Sequence, residues 1–271
     1  MATPHKKLDF AKPPVDEVVL SVVFEPLYSL FAPYLGEIWR EFKQDGFVHL
    51  LEQPPVPSAV EQYSNPVQGA QLQISNIPDL ARIWFIHEDE NKIIQVQRDR
   101  FTFNWRKTEE QQQYLGFSSI FGKFEEFYNR FGLIIKDLQI GSVNPLQYEL
   151  TYIDQLFQGD GWNTLDDLGQ IYAMLVDSQK LNSFWDGADY VSWRTSFPVA
   201  DLHGRLHLSI SNRIKMPEQK QTLQTEFTMY GFSESAESPM PVWFKSARDR
   251  IREKFASIFT EKIQTEIWER R

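Results

Sequence analysis

The 271-residue chain contains no cysteine. That excludes disulfides, thiol nucleophiles and cysteine-ligated zinc, and it leaves the redox compartment unreadable. The chain also lacks any apolar run of the roughly 18 residues that a membrane-spanning helix needs. Its opening, MATPHKKLDFAKPPVDE, has no apolar stretch of the signal-peptide type, so a cytoplasmic protein with no membrane partner is expected. Positive charge is scarce: the net charge is −9 and the pI about 5.2. General nucleic-acid binding over the surface is therefore not expected, because such binding depends on neutralising phosphates with an excess of lysine and arginine. HExxH, carboxylate-rich calcium loops, phosphate-binding Walker loops, GxGxxG and GxSxG elbows are all missing from the sequence. No metal and no cofactor is expected.

What the chain has in quantity is aromatic side chains, 14% of the total, within a hydrophobic fraction of 42%. Each ring buries a large area, so one large core or two packed halves can be built. Residues 1–15 are polar and proline-containing and read as an extended arm. Residues 17–27, EVVLSVVFEPL, are β-branched and read as a buried strand. Helical spacing follows through Leu35, Ile38, Trp39 and Phe42. Pro54, Pro55, Pro57 and Pro66 disfavour regular structure across residues 52–69, and AQLQIS at 70–75 reads as a short strand. Residues 82–107 read as a hairpin turning near 89–92. Phe117, Ile120, Phe124, Phe127 and Phe131 mark an amphipathic helix for which Gly132 is the expected stop.

The order then repeats. LQYELTYIDQLF is a strand, and TLDDLGQIYAMLVDSQ is a helix capped by Thr164 with Asp167 three residues on. Three further strands cover 189–199, 204–215 and 222–232. A long helix starts near Ser238 and runs towards Trp268, with Ala247, Ile251, Phe255, Ile258 and Phe259 along one stripe. LGEIW at 35–39 and LGQIY at 168–172 match, and Gly36 and Gly169 are spaced almost as Leu20 and Leu150 are. The expected fold is α+β, with internally duplicated strand–helix–antiparallel strands–helix units and the helices packed on one face of the sheet. The halves are 16–142 and 143–271, packed as one globular unit.

Residues 93–106, IIQVQRDRFTFNWR, carry unusual charge for a strand. Read as one strand, alternation puts Phe101, Phe103 and Trp105 on the core face with Gln95, Gln97 and Asp99. Arg98, Arg100, Thr102, Asn104 and Arg106 fall on the other. The second half segregates similarly: Leu206, Leu208 and Ile210 oppose Arg205, His207 and Arg213, and Arg194 alternates against Trp193. Arg98, Arg100, Asn104, Arg106, Arg194, Arg205, His207 and Arg213 are thus the candidate binding residues. Arginine there can grip carboxylate or phosphate in a bidentate way. The simpler reading is a solvated face whose arginines pair with neighbours such as Glu226 and Asp201. His203 and His207 are the best metal-like pair but lack a third ligand. Asp99, Arg100 and His207 are the candidates for a phosphodiester-directed enzyme.

With its opening KPPVDEVVLSVVFEPL, the motif QxQxDRFxxNWR and the later LQYELTYIDQL, the chain resembles a sporadically distributed prokaryotic protein family of about this length that has no established activity. The matching motif residues are Gln95, Gln97, Asp99, Arg100, Phe101, Asn104, Trp105 and Arg106. The resemblance implies a bacterial or archaeal cytoplasmic protein, and its sporadic distribution fits toxin–antitoxin or antiviral-defence neighbourhoods. It assigns no role to any residue. The leading functional expectation is a non-catalytic binding or interaction protein, antitoxin-like or defence-accessory, with a protein partner that an acidic surface would suit if basic. The alternatives are a sensor for an anionic or other small molecule, with an aromatic cavity closed by the C-terminal helix, and the phosphodiester-directed enzyme.

Overall fold

The computed structural model describes residues 9–57, 60–61, 80–109, 112–175, 187–216, 219–232 and 239–271. The strand expected at 70–75 and the helix start at Ser238 lie outside the described residues, as does most of the 52–69 segment. Helix and strand are mixed, and the strands form one large antiparallel sheet. They are β1 (Val15–Phe24), β2 (His49–Gln53), β3 (Arg82–Ile86), β4 (Lys92–Gln97), β5 (Arg100–Arg106), β6 (Pro145–Phe157), β7 (Ser192–Val199), β8 (Gly204–Lys215) and β9 (Lys220–Phe232). Their order in the sheet is β2-β3-β4-β5-β1-β6-β9-β8-β7. β1 and β6 therefore pair at the centre. Outward from β1 the chain adds β5, β4, β3 and β2, and outward from β6 it adds β9, β8 and β7.

The helices are α1 (Ala32–Lys43), α2 (Phe117–Asp137), α3 (Leu168–Ile171) and α4 (Met240–Ile258), with a π-helical turn at Ile263–Ile267. No helix among the described residues is long and apolar enough to cross a membrane. Each helix docks through the stripe its periodicity sets out. Phe42 of α1 meets Phe85 and Phe127. Phe124 and Phe131 of α2 meet Phe101, and Phe131 also meets Phe24. Trp243 and Phe244 of α4 meet Tyr148, and Phe244 also contacts Phe121 and Phe124 of α2. Cross-strand partners share a face, so Leu20, Phe103, Ile94, Leu150, Met229 and Leu206 form one fully buried row.

Several expectations need correction. Residues 93–106 are two strands joined by a tight turn at Arg98 and Asp99, and β4 pairs with β5 through Gln95↔Thr102 and Gln97↔Arg100. The turn resets the alternation, so Gln95 and Gln97 share the face of Arg100, Thr102 and Asn104, not that of the aromatic row. α2 runs past Gly132 to Asp137, because Ile134 and Ile135 continue its buried stripe. The second-half helix is broken after Ile171. Tyr172 turns extended and bridges to Phe259, and Phe259 in turn ends α4 short of the expected Trp268. Asp167 does accept the backbone N–H groups of Asn163 and Thr164, as the cap requires. β2 has no counterpart among the expected strands.

Candidate functional site

The face of the sheet opposite the aromatic row is polar, and much of it is buried. Arg205, Tyr230, Glu149, Ser21, Thr102 and Gln95 lie side by side across it. Hydrogen bonds run along the row. Ser21 and Thr102 hydroxyls are 2.8 Å apart, Gln95 donates to Asn104 Oδ1 at 2.7 Å, and Arg82 donates to Gln95 Oε1 at 2.7 Å. Asn104 Nδ2 donates to Glu17 Oε1 at 2.5 Å. Burial pushes the Glu17 carboxyl above its ordinary range. Arg100 reaches over β1 to pair with Glu149, which also accepts from Gln147 at 2.8 Å.

Part of the proline-rich segment lies over this face. Gln97 exchanges two hydrogen bonds with the backbone of Val56, at 2.9 and 2.7 Å. Further on, the Glu61 backbone N–H donates to Gln147 at 2.8 Å. The Glu61 carboxylate sits 2.7 Å from Arg205 Nε and 2.9 Å from His207 Nε2. Val56 is thus tied to β4, and Glu61 to β6 and β8.

The candidate binding residues accordingly fall into three groups. Arg100, Asn104, Arg205 and His207 are engaged within the fold. Arg98 is in the β4–β5 turn rather than on a strand face, and its guanidinium reaches the Leu30 carbonyl at 3.3 Å; Arg106 donates to the Glu90 carbonyl at 2.9 Å. Arg194 and Arg213 are exposed, Arg213 donating to Ser211 Oγ at 3.1 Å. The acidic partners differ from those expected: Glu149 and Glu61 serve the arginines, whereas Asp201 pairs with Arg250 of α4 at 2.6 Å. His203 occupies a left-handed turn position (φ 43°) before β8, while His207 is held mid-strand by Glu61, so the two form no metal-binding pair. Asp99 accepts from Gln97 at 2.7 Å, and β1, β6 and β9 separate its strand pair from His207. The structure does not bring Asp99, Arg100 and His207 together.

A different constellation lies against the sheet's other face, at the end of β6. Alternation along β6 places Asp154 in line with Tyr148, Leu150, Tyr152 and Leu156, on the apolar side. It is only 3% exposed, and its Oδ1 has no hydrogen-bond partner. Its cross-strand neighbours are Val15 and Thr225, and Thr225 is already bonded to the Tyr172 hydroxyl at 2.8 Å. Desolvation pushes the Asp154 carboxyl up to about 8; nearby Asp16 adds to the rise and Lys107 opposes it. Asp154 is therefore mostly protonated at neutral pH.

Asp154 opens onto a cavity of about 250 Å³. Phe10, Tyr114, Phe117, Tyr152 and Phe255 supply aromatic walls, and Arg248, Ile251 and Arg252 of α4 close one side. The N-terminal arm closes another. It is held there by backbone bonds from Ala11 and Lys12 to Glu269 and Trp268, by the Lys12–Glu269 ion pair, and by Phe10 packing edge-on against Phe255 and Trp268. The Tyr114 and Tyr152 hydroxyls face each other at 3.3 Å, and burial raises both above the usual phenol range, Tyr114 to about 12. Arg248 lies over the Phe117 ring at 5.3 Å and places Nε and Nη2 on Asp249. The sequence carried a signal for this site that the charged segment at 93–106 overshadowed: an aspartate in phase with the apolar side chains of LQYELTYIDQLF.

No protein-family model matches the chain, and no curated protein shows significant similarity to it.

Proposed function

We propose that this chain is a non-catalytic small-molecule-binding protein, a sensor or carrier, whose ligand occupies the cavity between the arm, β6 and α4. The observation that carries this reading is Asp154, a buried carboxyl with one orphaned oxygen, among the residues that line an aromatic cavity. A buried polar atom without a partner costs about 1–3 kcal/mol, a cost that a bound donor would offset. Apolar walls with a few convergent polar groups are the usual make-up of ligand sites. The interaction-protein reading has less support, because it rests on Arg194 and Arg213 while the rest of its residues are engaged internally. The enzyme reading has least, since its three residues are held apart.

Ligand-observed NMR with a fragment library tests the proposal on the full chain. Fragments should bind the wild type and lose their signal with Ile251→Phe, which places a ring in the cavity. Hits indifferent to Ile251→Phe would sink it.

We also infer that the two halves derive from a duplication, with the helices gathered on one face of the joined sheet. The outward orders β1-β5-β4-β3 and β6-β9-β8-β7 support this. So do Leu35 and Ile38 on α1 and Leu168 and Ile171 on α3, all buried at matching places in LGEIW and LGQIY. The cytoplasmic, prokaryotic setting implied by the family resemblance belongs to the same proposal.

A further inference from the structure

We propose that the cavity beside Asp154 takes an organic cation: a protonated amine whose ammonium group meets the Asp154 carboxyl and whose hydrocarbon part lies among the aromatic walls. This inference rests on the cavity being a binding site and adds the charge of its ligand.

Asp154 is the group at the cavity that lacks a partner. Once ionised, its carboxyl can only accept, so a ligand that brings a charged donor satisfies it. An anion would meet Asp9 and the Asp154 carboxyl, and of the two arginines that line the cavity, Arg248 already spends Nε and Nη2 on Asp249. A cation meets three favourable features instead. The ion pair with Asp154 forms at a buried carboxyl, so its attraction is screened less than at the surface. The rings of Phe10, Tyr114 and Phe255 carry negative quadrupole potential on their faces, which favours an ammonium group nearby. Exposed Asp9 lines the same cavity, in a protein whose net charge is −9.

Protons must balance. Asp154 is mostly protonated in the free protein at neutral pH, so the amine binds as R–NH₃⁺ and the Asp154 proton leaves to solvent. The product is an ammonium–carboxylate pair plus one released proton. Other charges around Asp154 set the pH range. Lys107, after β5, favours the carboxylate, and Asp16, in the β1 irregularity and itself bonded to Lys215 of β8, opposes it. Tyr152 on β6, Tyr114 and Tyr172 keep their protons, because burial raises all three. Arg248 and Arg252 on α4 and Asp9 on the arm also line the site. Asp154 is therefore the group whose ionisation binding should shift, and affinity should rise with pH up to about 8.

Benzylammonium, benzyl alcohol and benzoate, which share a ring and differ in charge, provide the test by isothermal titration calorimetry on the full chain. Each is titrated at pH 7 in two buffers of different ionisation enthalpy. Benzylammonium should bind at least about tenfold more tightly than either analogue and should release about one proton. Asp154→Asn should abolish that preference. Benzoate binding as well as or better than benzylammonium, absence of proton release, or a preference surviving in folded Asp154→Asn would each overturn the inference. If Asp154→Asn does not fold, the charge preference and proton release of the wild type decide. Binding of benzyl alcohol or benzoate alone, lost with Ile251→Phe, would leave the cavity a binding site and defeat the cation. Binding of none of the three would defeat both.

Discussion

Asp154 is as much a cost to the folded state as an opening for a ligand. Its carboxyl ordinarily titrates at 3.8, and burial in the fold moves it up to about 8. A folded-state value above the unfolded one means that the folded protein binds the extra proton. Stability from this group is therefore whole below about pH 4, falls as pH rises through the interval, and levels off above about 8. A tenfold change in proton affinity is worth about 1.4 kcal/mol, so the loss across the interval is on the order of several kcal/mol. Asp154→Asn removes the titration while keeping the shape of the neutral acid. The variant's melting temperature should change less between pH 5 and 8 than that of the wild type, and should exceed it at pH 8. Glu17, also raised by burial, gives the wild type a slope of the same sign that the variant keeps. Parallel melting curves for the two proteins would mean that Asp154 ionises without penalty, and the burial account of its raised value would fail.

At the scale of elements, what was legible in the sequence depended on how strongly one period dominated. The phenylalanine stripe of α2 and the stripe from Ala247 to Phe255 in α4 were legible because a helix must bury every third or fourth residue. β8, with Leu206, Leu208 and Ile210 alternating against polar residues, was legible for the corresponding reason. β2 was not, because all but one residue of HLLEQ is exposed and the pattern carries no burial signal. The breaks at Tyr172 and Phe259 were not either, because their bridge to each other is a tertiary choice that local propensity does not encode. The turn at Arg98 and Asp99 had the largest effect on the site. Missing it reversed the phase of Gln95 and Gln97 and hid that the arginine face is a hydrogen-bonded network with a roof. Arg100 and Glu149 are the charged centre of that network, with side chains 11% and 10% exposed. Removing one partner of a buried pair strands the other, at about 3–5 kcal/mol, whereas replacing both with apolar residues can be nearly neutral. Arg100→Met should therefore destabilise severely, and Arg100→Met with Glu149→Leu should regain a large part of the loss in urea unfolding. If the double variant is as unstable as the sum of the single changes, the two residues act independently and the network account fails.

For the whole molecule, the decisive feature is that the middle of the sheet is also the boundary between the chain's two halves. β1 and β6 are paired from Val15↔Asp154 to Phe24↔Pro145, so cutting the chain near residue 142 would leave each half with one long unpaired strand edge. The apolar sides of those strands carry Val18, Leu20 and Val22 on β1, and Tyr148, Leu150 and Tyr152 on β6, all buried in the intact protein. The boundary is crossed again by Phe121 and Phe124 of α2 against Phe244 of α4, and on the opposite face by Arg100 with Glu149. The cavity straddles it too, since Val15 and Tyr114 come from one half and Asp154 and Phe255 from the other. A strand edge of that length and apolarity is a template for association rather than a stable surface. Residues 1–142 and 143–271, produced separately, should each lack a cooperative thermal transition. Mixed, they should recover one together with the ligand binding that needs both. The measurement is differential scanning calorimetry of each fragment and of the equimolar mixture. Two fragments that each melt cooperatively as monomers, with no change on mixing, would show the halves to be independent domains, and the cavity would then lie at a domain interface rather than within a shared core.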